Sequence, residues 1–119
     1  SQRRRRTRGM RRIDTLARLA ALSAAIAVAA GAYAAHGAVG QAADWLRTGA
    51  FYQLVHAVAV IAFAGRWRGS AWLLLGGATI FAGTLYAMAF GAPHWLGAVT
   101  PIGGAGMILG WALVALGRR

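Results

Sequence analysis

Three side chains that can form hydrogen bonds or hold a ligand interrupt an apolar stretch of this chain. Tyr52, Gln53 and His56 lie among Ala, Val, Leu and Phe residues, and their spacing places them with Gly49 on one helix face. Apolar surroundings cannot satisfy their polar groups, so we expect them to turn inward and meet polar groups of other segments. The predicted buried polar cluster, or ligand site, consists of Tyr52, Gln53, His56, Thr84, Tyr86 and His36.

The chemistry open to these residues is narrow. His56 lies eight residues beyond Thr48, or about 12 Å deeper, whereas His36 ends the preceding segment, so the two cannot easily share one iron atom. His36 and His94 can meet at one end of the fold, but two histidines without an acid or a cysteine make a poor metal site. We therefore predict no metal and no cofactor.

Catalysis and ion pumping also lack the residues that they need. The two acids, Asp14 and Asp44, lie near segment ends, where they cannot serve as a buried proton carrier. There is no cysteine, and no pattern pairs Ser23 or Ser70 with a histidine and an acid. We predict that the protein is not an enzyme.

The composition explains why so few polar residues are present. Of 119 residues 59% are hydrophobic, and the mean hydropathy is +0.54, well above the range of soluble domains. The 13 arginines cluster at the chain ends and at Arg66 and Arg68. This distribution predicts a multi-pass protein of the bacterial inner (plasma) membrane with both termini in the cytoplasm, because positive charge accumulates on that side.

The apolar runs predict an all-α fold, an antiparallel bundle of four transmembrane helices. We expect helices at about residues 13–35, 48–64, 71–90 and 98–117, with residues 37–47 forming the first connection and Asp44 able to pair with Arg47. On the third helix we expect the stripe of Gly76, Thr79, Gly83, Tyr86 and Phe90 to face the bundle. Small residues let helix backbones approach closely, and the predicted packing positions are Gly49, Gly83, Gly103, Gly106 and Gly110.

Residues 1–12 are expected to form a solvated cytoplasmic tail. Its arginines are predicted to contact anionic lipid headgroups or an acidic partner, and they are Arg3, Arg4, Arg5, Arg6, Arg8, Arg11 and Arg12. A ribosomal RNA partner is the alternative to lipid and protein, but the apolar remainder of the chain argues against nucleic acid, so none is predicted.

Several short motifs, in this order, resemble the family called domain of unknown function 423, which is related to the eukaryotic transmembrane protein 256. They are Gly31-x-x-x-Ala35-His36-Gly37, Thr48-Gly49-x-x-Tyr52-Gln53-x-x-His56-Ala57, Gly83-Thr84-Leu85-Tyr86 and Thr100-Pro101-Ile102-Gly103-Gly104 with Gly110-Trp111. The resemblance covers roughly residues 25–116. It implies a four-helix inner-membrane protein and no established activity.

Three functional hypotheses follow. The leading one is a non-enzymatic accessory or assembly subunit of a larger inner-membrane complex, with a homo-oligomer as a further arrangement. The alternative is a small transporter or a lipid- or quinone-binding protein with a polar pocket around His56, lined also by Tyr52, Gln53 and Tyr86. A weaker third hypothesis is a lipid-modifying enzyme with His36 or His56 as its base.

Overall fold

The computed structural model describes the backbone of residues 2–118 and the side chains of residues 15–118. Within that range the protein is helical throughout, with no strands. The elements are α1 (Gln2–His36), α2 (Gly40–Phe63), α3 (Arg68–Ala89), a short 3-10 helix (His94–Ala98) and α4 (Thr100–Ala115). The predicted all-α fold is confirmed.

Four segments are long and apolar enough to cross a bilayer. They are Thr15–His36, Gly40–Phe63, Arg68–Ala89 and His94–Ala115, and they contain 22, 24, 22 and 22 residues. At about 1.5 Å per helical residue each spans roughly 33 Å or more, which matches a hydrocarbon core of about 30 Å. The fourth span uses the 3-10 helix to reach this length.

The first connection is much shorter than predicted. Only residues 37–39 separate α1 from α2, and the expected loop through Arg47 is wrong because the residues from Gly40 onward are helical. Gly40 has φ +64°, a left-handed conformation that a glycine adopts without strain, and the Ala-rich sequence after it favours helix. As expected, Arg47 Nη1 lies 3.0 Å from Asp44 Oδ1, and this pair lies on the first turns of α2.

The other helix ends also differ from the predicted bounds. The first helix begins at Gln2 instead of residue 13, so its backbone continues through the segment predicted as a tail. The third starts three residues earlier than predicted and ends one residue earlier, and the fourth runs from Thr100 to Ala115 with Pro101 in its first turn. The predicted lipid or partner contacts of the N-terminal arginines fall on side chains outside the described residues.

Consecutive helices are antiparallel and pack side by side, but the bundle is open along one flank. The α1–α2, α2–α3 and α3–α4 pairs have extensive backbone contact, and α1 touches α3 at few positions. Among the described residues no Cα atom of α4 comes within 8 Å of α1 or α2. The helix backbones therefore form a row in which the backbone of α4 approaches α3 and the short 3-10 helix, but not α1 or α2.

The α3–α4 interface depends on glycines. A Cβ atom added to Gly103 would lie 2.5 Å from both the Gly77 oxygen and the Phe81 nitrogen, so only glycine permits this approach. Gly106 and Gly110 pack along the same seam, against Gly77 and Leu74. Gly49 packs on α2, where it faces the Tyr86 ring.

One predicted packing position and one predicted face are wrong. Gly76 and Gly83 are exposed, and a Cβ atom on either would meet nothing within 4 Å. The buried face of α3 instead contains Ser70, Ala71, Leu74, Gly77, Ala78, Ala82, Leu85 and Met88. Small residues occur on several faces of α3, so their spacing could not indicate which face packs.

We expect Gly103→Ala to destabilise the protein by about 1–3 kcal/mol, because the added methyl group meets backbone atoms that cannot move aside. The adjacent Gly104→Ala is a matched control, since its methyl group would meet nothing within 4 Å. Thermal unfolding in detergent, followed by circular dichroism, measures both. Equal melting temperatures for the two variants would contradict the tight α3–α4 contact.

Candidate functional site

Three separate hydrogen-bonded groups of polar side chains link the described helices inside the four spans. The first joins α1, α2 and α3 through the amide of Gln53, which is only 5% exposed. Gln53 Nε2 donates to Ser23 Oγ at 3.0 Å, and the Tyr86 hydroxyl donates to Gln53 Oε1 at 2.6 Å. One side chain thus links two neighbouring helices to its own.

Gly49 makes this arrangement sterically feasible. It precedes Gln53 by one helical turn, and a Cβ atom on it would lie 2.7 Å from Tyr86 Cε1. The tyrosine ring therefore lies across the bare backbone at Gly49, and its hydroxyl reaches Gln53. A side chain at position 49 would displace the ring and break the hydrogen bond.

The second group connects α2 to α4 through His56. Trp111 Nε1 donates to His56 Nε2 at 3.0 Å, and His56 Nδ1 lies 2.7 Å from the Tyr52 carbonyl oxygen. An indole N–H can only donate and a carbonyl can only accept, so this geometry assigns the proton of the imidazole to Nδ1. Both ring nitrogens are thus hydrogen-bonded within the protein.

Trp111 connects α4 to α2, whose backbones are widely separated. Its ring contacts His56 edge-on, with centroids 5.9 Å apart, and also meets Phe63 at 5.5 Å. Because the backbones of α2 and α4 do not approach within 8 Å, side chains of this size are needed to connect them.

The third group lies at the start of α4. The hydroxyl oxygens of Thr84 and Thr100 are 2.6 Å apart, and each also lies within hydrogen-bonding distance of a carbonyl on its own side. These bonds join α3 to α4 at the N-terminal end of α4, before the glycines that pack against α3.

The predicted cluster is therefore divided. Gln53 and Tyr86 share one group, Tyr52 and His56 belong to the second, and Thr84 belongs to the third. His36 is exposed at the end of α1, and His94 packs edge-on against Trp45 with centroids 5.5 Å apart. The predicted polar cluster omitted Ser23, Thr100 and Trp111. Ser23 and Trp111 each carry a hydrogen-bonding group within an apolar segment, and this feature of the sequence could have indicated them.

Two lateral grooves open between the helices in the part of the chain whose side chains are described. One, of about 360 Å³, lies beside the second group, and it is lined by Tyr52, His56, Phe81, Gly104, Met107, Ile108 and Trp111. The other, of about 270 Å³, is lined by Ile26, Ala29, Ala30, Tyr33, Leu46, Tyr86 and Phe90. The pocket hypothesised around His56 thus includes Tyr52 but neither Gln53 nor Tyr86.

One fully buried hydroxyl has no partner within residues 15–118. Ser70 is fully buried in the first turn of α3, and its Oγ makes no hydrogen bond there. Its backbone faces Gly110 of α4. Full burial also keeps a ligand from reaching it.

Four apolar spans with internally paired polar side chains define the class of the protein as a multi-pass α-helical membrane protein. No set of three or more His, Cys, Asp or Glu residues in the described part of the chain is placed to hold a metal ion.

The chain belongs to a family described as "Protein of unknown function (DUF423)", which matches residues 30–104. It is 40% identical over 86 residues to a "UPF0382 membrane protein" of Haemophilus influenzae, covering 65% of this chain and 68% of that one. It is 38% identical over 81 residues to the "UPF0382 inner membrane protein YgdD" of Escherichia coli K12, covering 61% and 62%. The "UPF0382 membrane protein YwdK" of Bacillus subtilis is 34% identical over 78 residues, covering 58% and 63%.

This chain spans less than two thirds of the length of the latter two relatives. No solved structure matches it. The predicted membrane localisation is confirmed: the protein is a multi-pass protein of the bacterial inner membrane.

We expect Gln53→Leu and Tyr86→Phe each to lower the free energy of unfolding by about 0.5–2 kcal/mol, the range for hydrogen bonds between membrane helices. The double variant should lose less than the sum, because both substitutions break the same bond. Tyr33→Phe, which removes a hydroxyl outside this group, is the control and should add independently to either. Strict additivity of Gln53→Leu and Tyr86→Phe in a denaturation series would show that the bond contributes nothing.

Proposed function

We propose that the protein is a non-catalytic accessory or assembly subunit that acts by binding a transmembrane helix of a larger inner-membrane complex. The observation that carries this proposal is the open flank, where α4 has no backbone contact with α1. In a closed four-helix bundle the first and last helices cover each other. Here an additional helix from a partner can occupy that position.

Burial of the spans agrees with this proposal. Within the most apolar stretch of each span, 22% of the residues are buried in the first and fourth spans. The corresponding shares are 44% in the second span and 39% in the third. The outer helices thus keep most of their apolar surface available. On α1 this surface is rich in alanine, which allows close approach of another helix.

The polar groups favour a contact function over a chemical one. Gln53, Tyr86 and both nitrogens of His56 are bonded to other protein groups, and they leave no general base beside a nucleophile. Hydrogen bonds of this kind hold helices in fixed rotation. A fixed surface is what recognition of a partner helix needs.

The N-terminal segment supplies a second contact. Helix α1 begins at Gln2, so its helical backbone runs through the arginine-rich positions that precede the apolar part of the helix. Seven arginines occur between positions 3 and 12. In this proposal they bind acidic headgroups or an acidic surface of the partner in the cytoplasm.

This arrangement requires the N-terminus to be cytoplasmic. The chain has no cysteine, so single cysteines can be introduced without background. We expect Val39→Cys, in the turn after α1, to react with a membrane-impermeant maleimide on intact spheroplasts. Gly65→Cys, in the turn after α2, should react only after permeabilisation, and the reverse pattern would contradict the orientation.

The complex itself is tested in native membranes. We expect the full-length tagged protein, solubilised in a mild detergent, to migrate on a native gel with a partner of different sequence, far above the 12.4 kDa of this chain. A photo-crosslinking residue at the exposed Val28 should capture that partner, whereas one at the neighbouring buried Ala27 should not. Migration as a lone chain or a small homo-oligomer would contradict the proposal.

A further inference from the structure

The Tyr52 hydroxyl is an unusual group for its position in the membrane. Tyr52 lies twelve residues after Gly40, about 18 Å along α2 and close to the middle of the span, whereas membrane tyrosines concentrate at the two interfaces. Within residues 15–118 its hydroxyl makes no hydrogen bond. A hydroxyl left unbonded in hydrocarbon is unfavourable, so an acceptor supplied by a ligand would stabilise it.

The groove at this tyrosine, called the slot below, is lined by four aromatic side chains. The Tyr52 and Phe81 rings meet edge to face, with centroids 4.9 Å apart and planes at 62°, and the rings of His56 and Trp111 lie beside them. Gly104 on α4 leaves the slot open, because a Cβ atom there would meet nothing within 4 Å. A volume of about 360 Å³ lies within the usual range for small-molecule sites, which are mostly apolar with few polar groups.

Among the polar side chains of the slot, only the Tyr52 hydroxyl is free to donate. His56 donates from Nδ1 to the Tyr52 carbonyl oxygen, and its Nε2 accepts the hydrogen bond from the indole N–H of Trp111. The slot therefore offers aromatic and aliphatic surface and one donor. It suits an apolar molecule that carries a hydrogen-bond acceptor.

Depth distinguishes the classes of membrane molecule that could enter. Phospholipids and fatty acids keep their carbonyl oxygens at the interface, about 15 Å from the middle of a 30 Å core. Their acyl chains carry no acceptor at the depth of Tyr52. A quinone with an isoprenoid tail brings ring carbonyls into the hydrocarbon, and its flat ring can stack on aromatic side chains.

We propose that this groove binds the ring of a membrane quinone, with the Tyr52 hydroxyl donating a hydrogen bond to a ring carbonyl. The aromatic rings of Phe81, His56 and Trp111 enclose the quinone ring, and its tail leaves between the helices into lipid. The site holds the quinone and carries out no electron transfer. It does not depend on the accessory role proposed above.

The test is calorimetric titration of decylubiquinone into the purified protein in detergent micelles, with empty micelles as the blank. Wild type should bind one quinone per chain with saturation. Tyr52→Phe should bind about 3- to 10-fold more weakly, as expected for one lost hydrogen bond. Tyr33→Phe is the matched control: it removes another hydroxyl with no hydrogen bond in the described part of the chain, from the other groove, and should leave affinity unchanged.

Two further variants should block the slot from its α4 side. Gly104→Leu and Ile108→Trp add bulk where the backbone is open or the side chain is 72% exposed, so we expect both to fold and to lose binding. Thermal unfolding of each variant confirms the fold. The proposal is overturned if wild type gives no heat above empty micelles, if Tyr52→Phe binds as tightly as wild type, or if both folded blocking variants bind normally. Equal competition by dodecanoic acid, which would identify a general acyl-chain groove, overturns it as well.

Discussion

The hydrocarbon core of a bilayer offers no hydrogen bonds, so a polar side chain placed there is unfavourable unless it finds a partner within the protein. This requirement governs how the four helices are arranged. The amide of Gln53 can be satisfied only if Ser23 of α1 and Tyr86 of α3 both face it, and this condition sets the rotation of three helices at once. The pair of Thr84 and Thr100 then fixes α4 against α3.

Two kinds of helix contact produce the open shape. The absence of side chains at Gly77 and Gly103 lets α4 pack tightly on α3. The large ring of Trp111 spans the wider gap between α4 and α2. The groove beside His56 lies in the wider gap, and the flank of the bundle between α4 and α1 is uncovered.

The histidine has a structural contact at each of its two ring nitrogens. An imidazole deep in a membrane invites a proton or metal role. Here a backbone carbonyl and an indole occupy its two nitrogens, so it connects helices and forms a wall of the groove. The feature of the groove that can contact a ligand is instead the hydroxyl of the neighbouring Tyr52, one turn earlier on the same helix.

The sequence by itself determined the class of the protein, the four spans and the inward direction of Gln53 and His56, because these follow from local apolarity and from the cost of unpaired polar groups in lipid. It also indicated the tight glycine positions on α4. It misplaced the start of α2, since residues 37–47 were expected to form a connection, whereas Gly40 begins the helix in a left-handed conformation.

Only the tertiary structure decided which face of α3 is buried, that the polar residues divide into three groups, and that the bundle stays open. Gly76 and Gly77 are adjacent and chemically identical, yet only Gly77 touches α4. Such choices depend on the rotation and separation of whole helices. Those are set by contacts between residues far apart in the chain, such as His56 and Trp111, and local spacing carries no information about them.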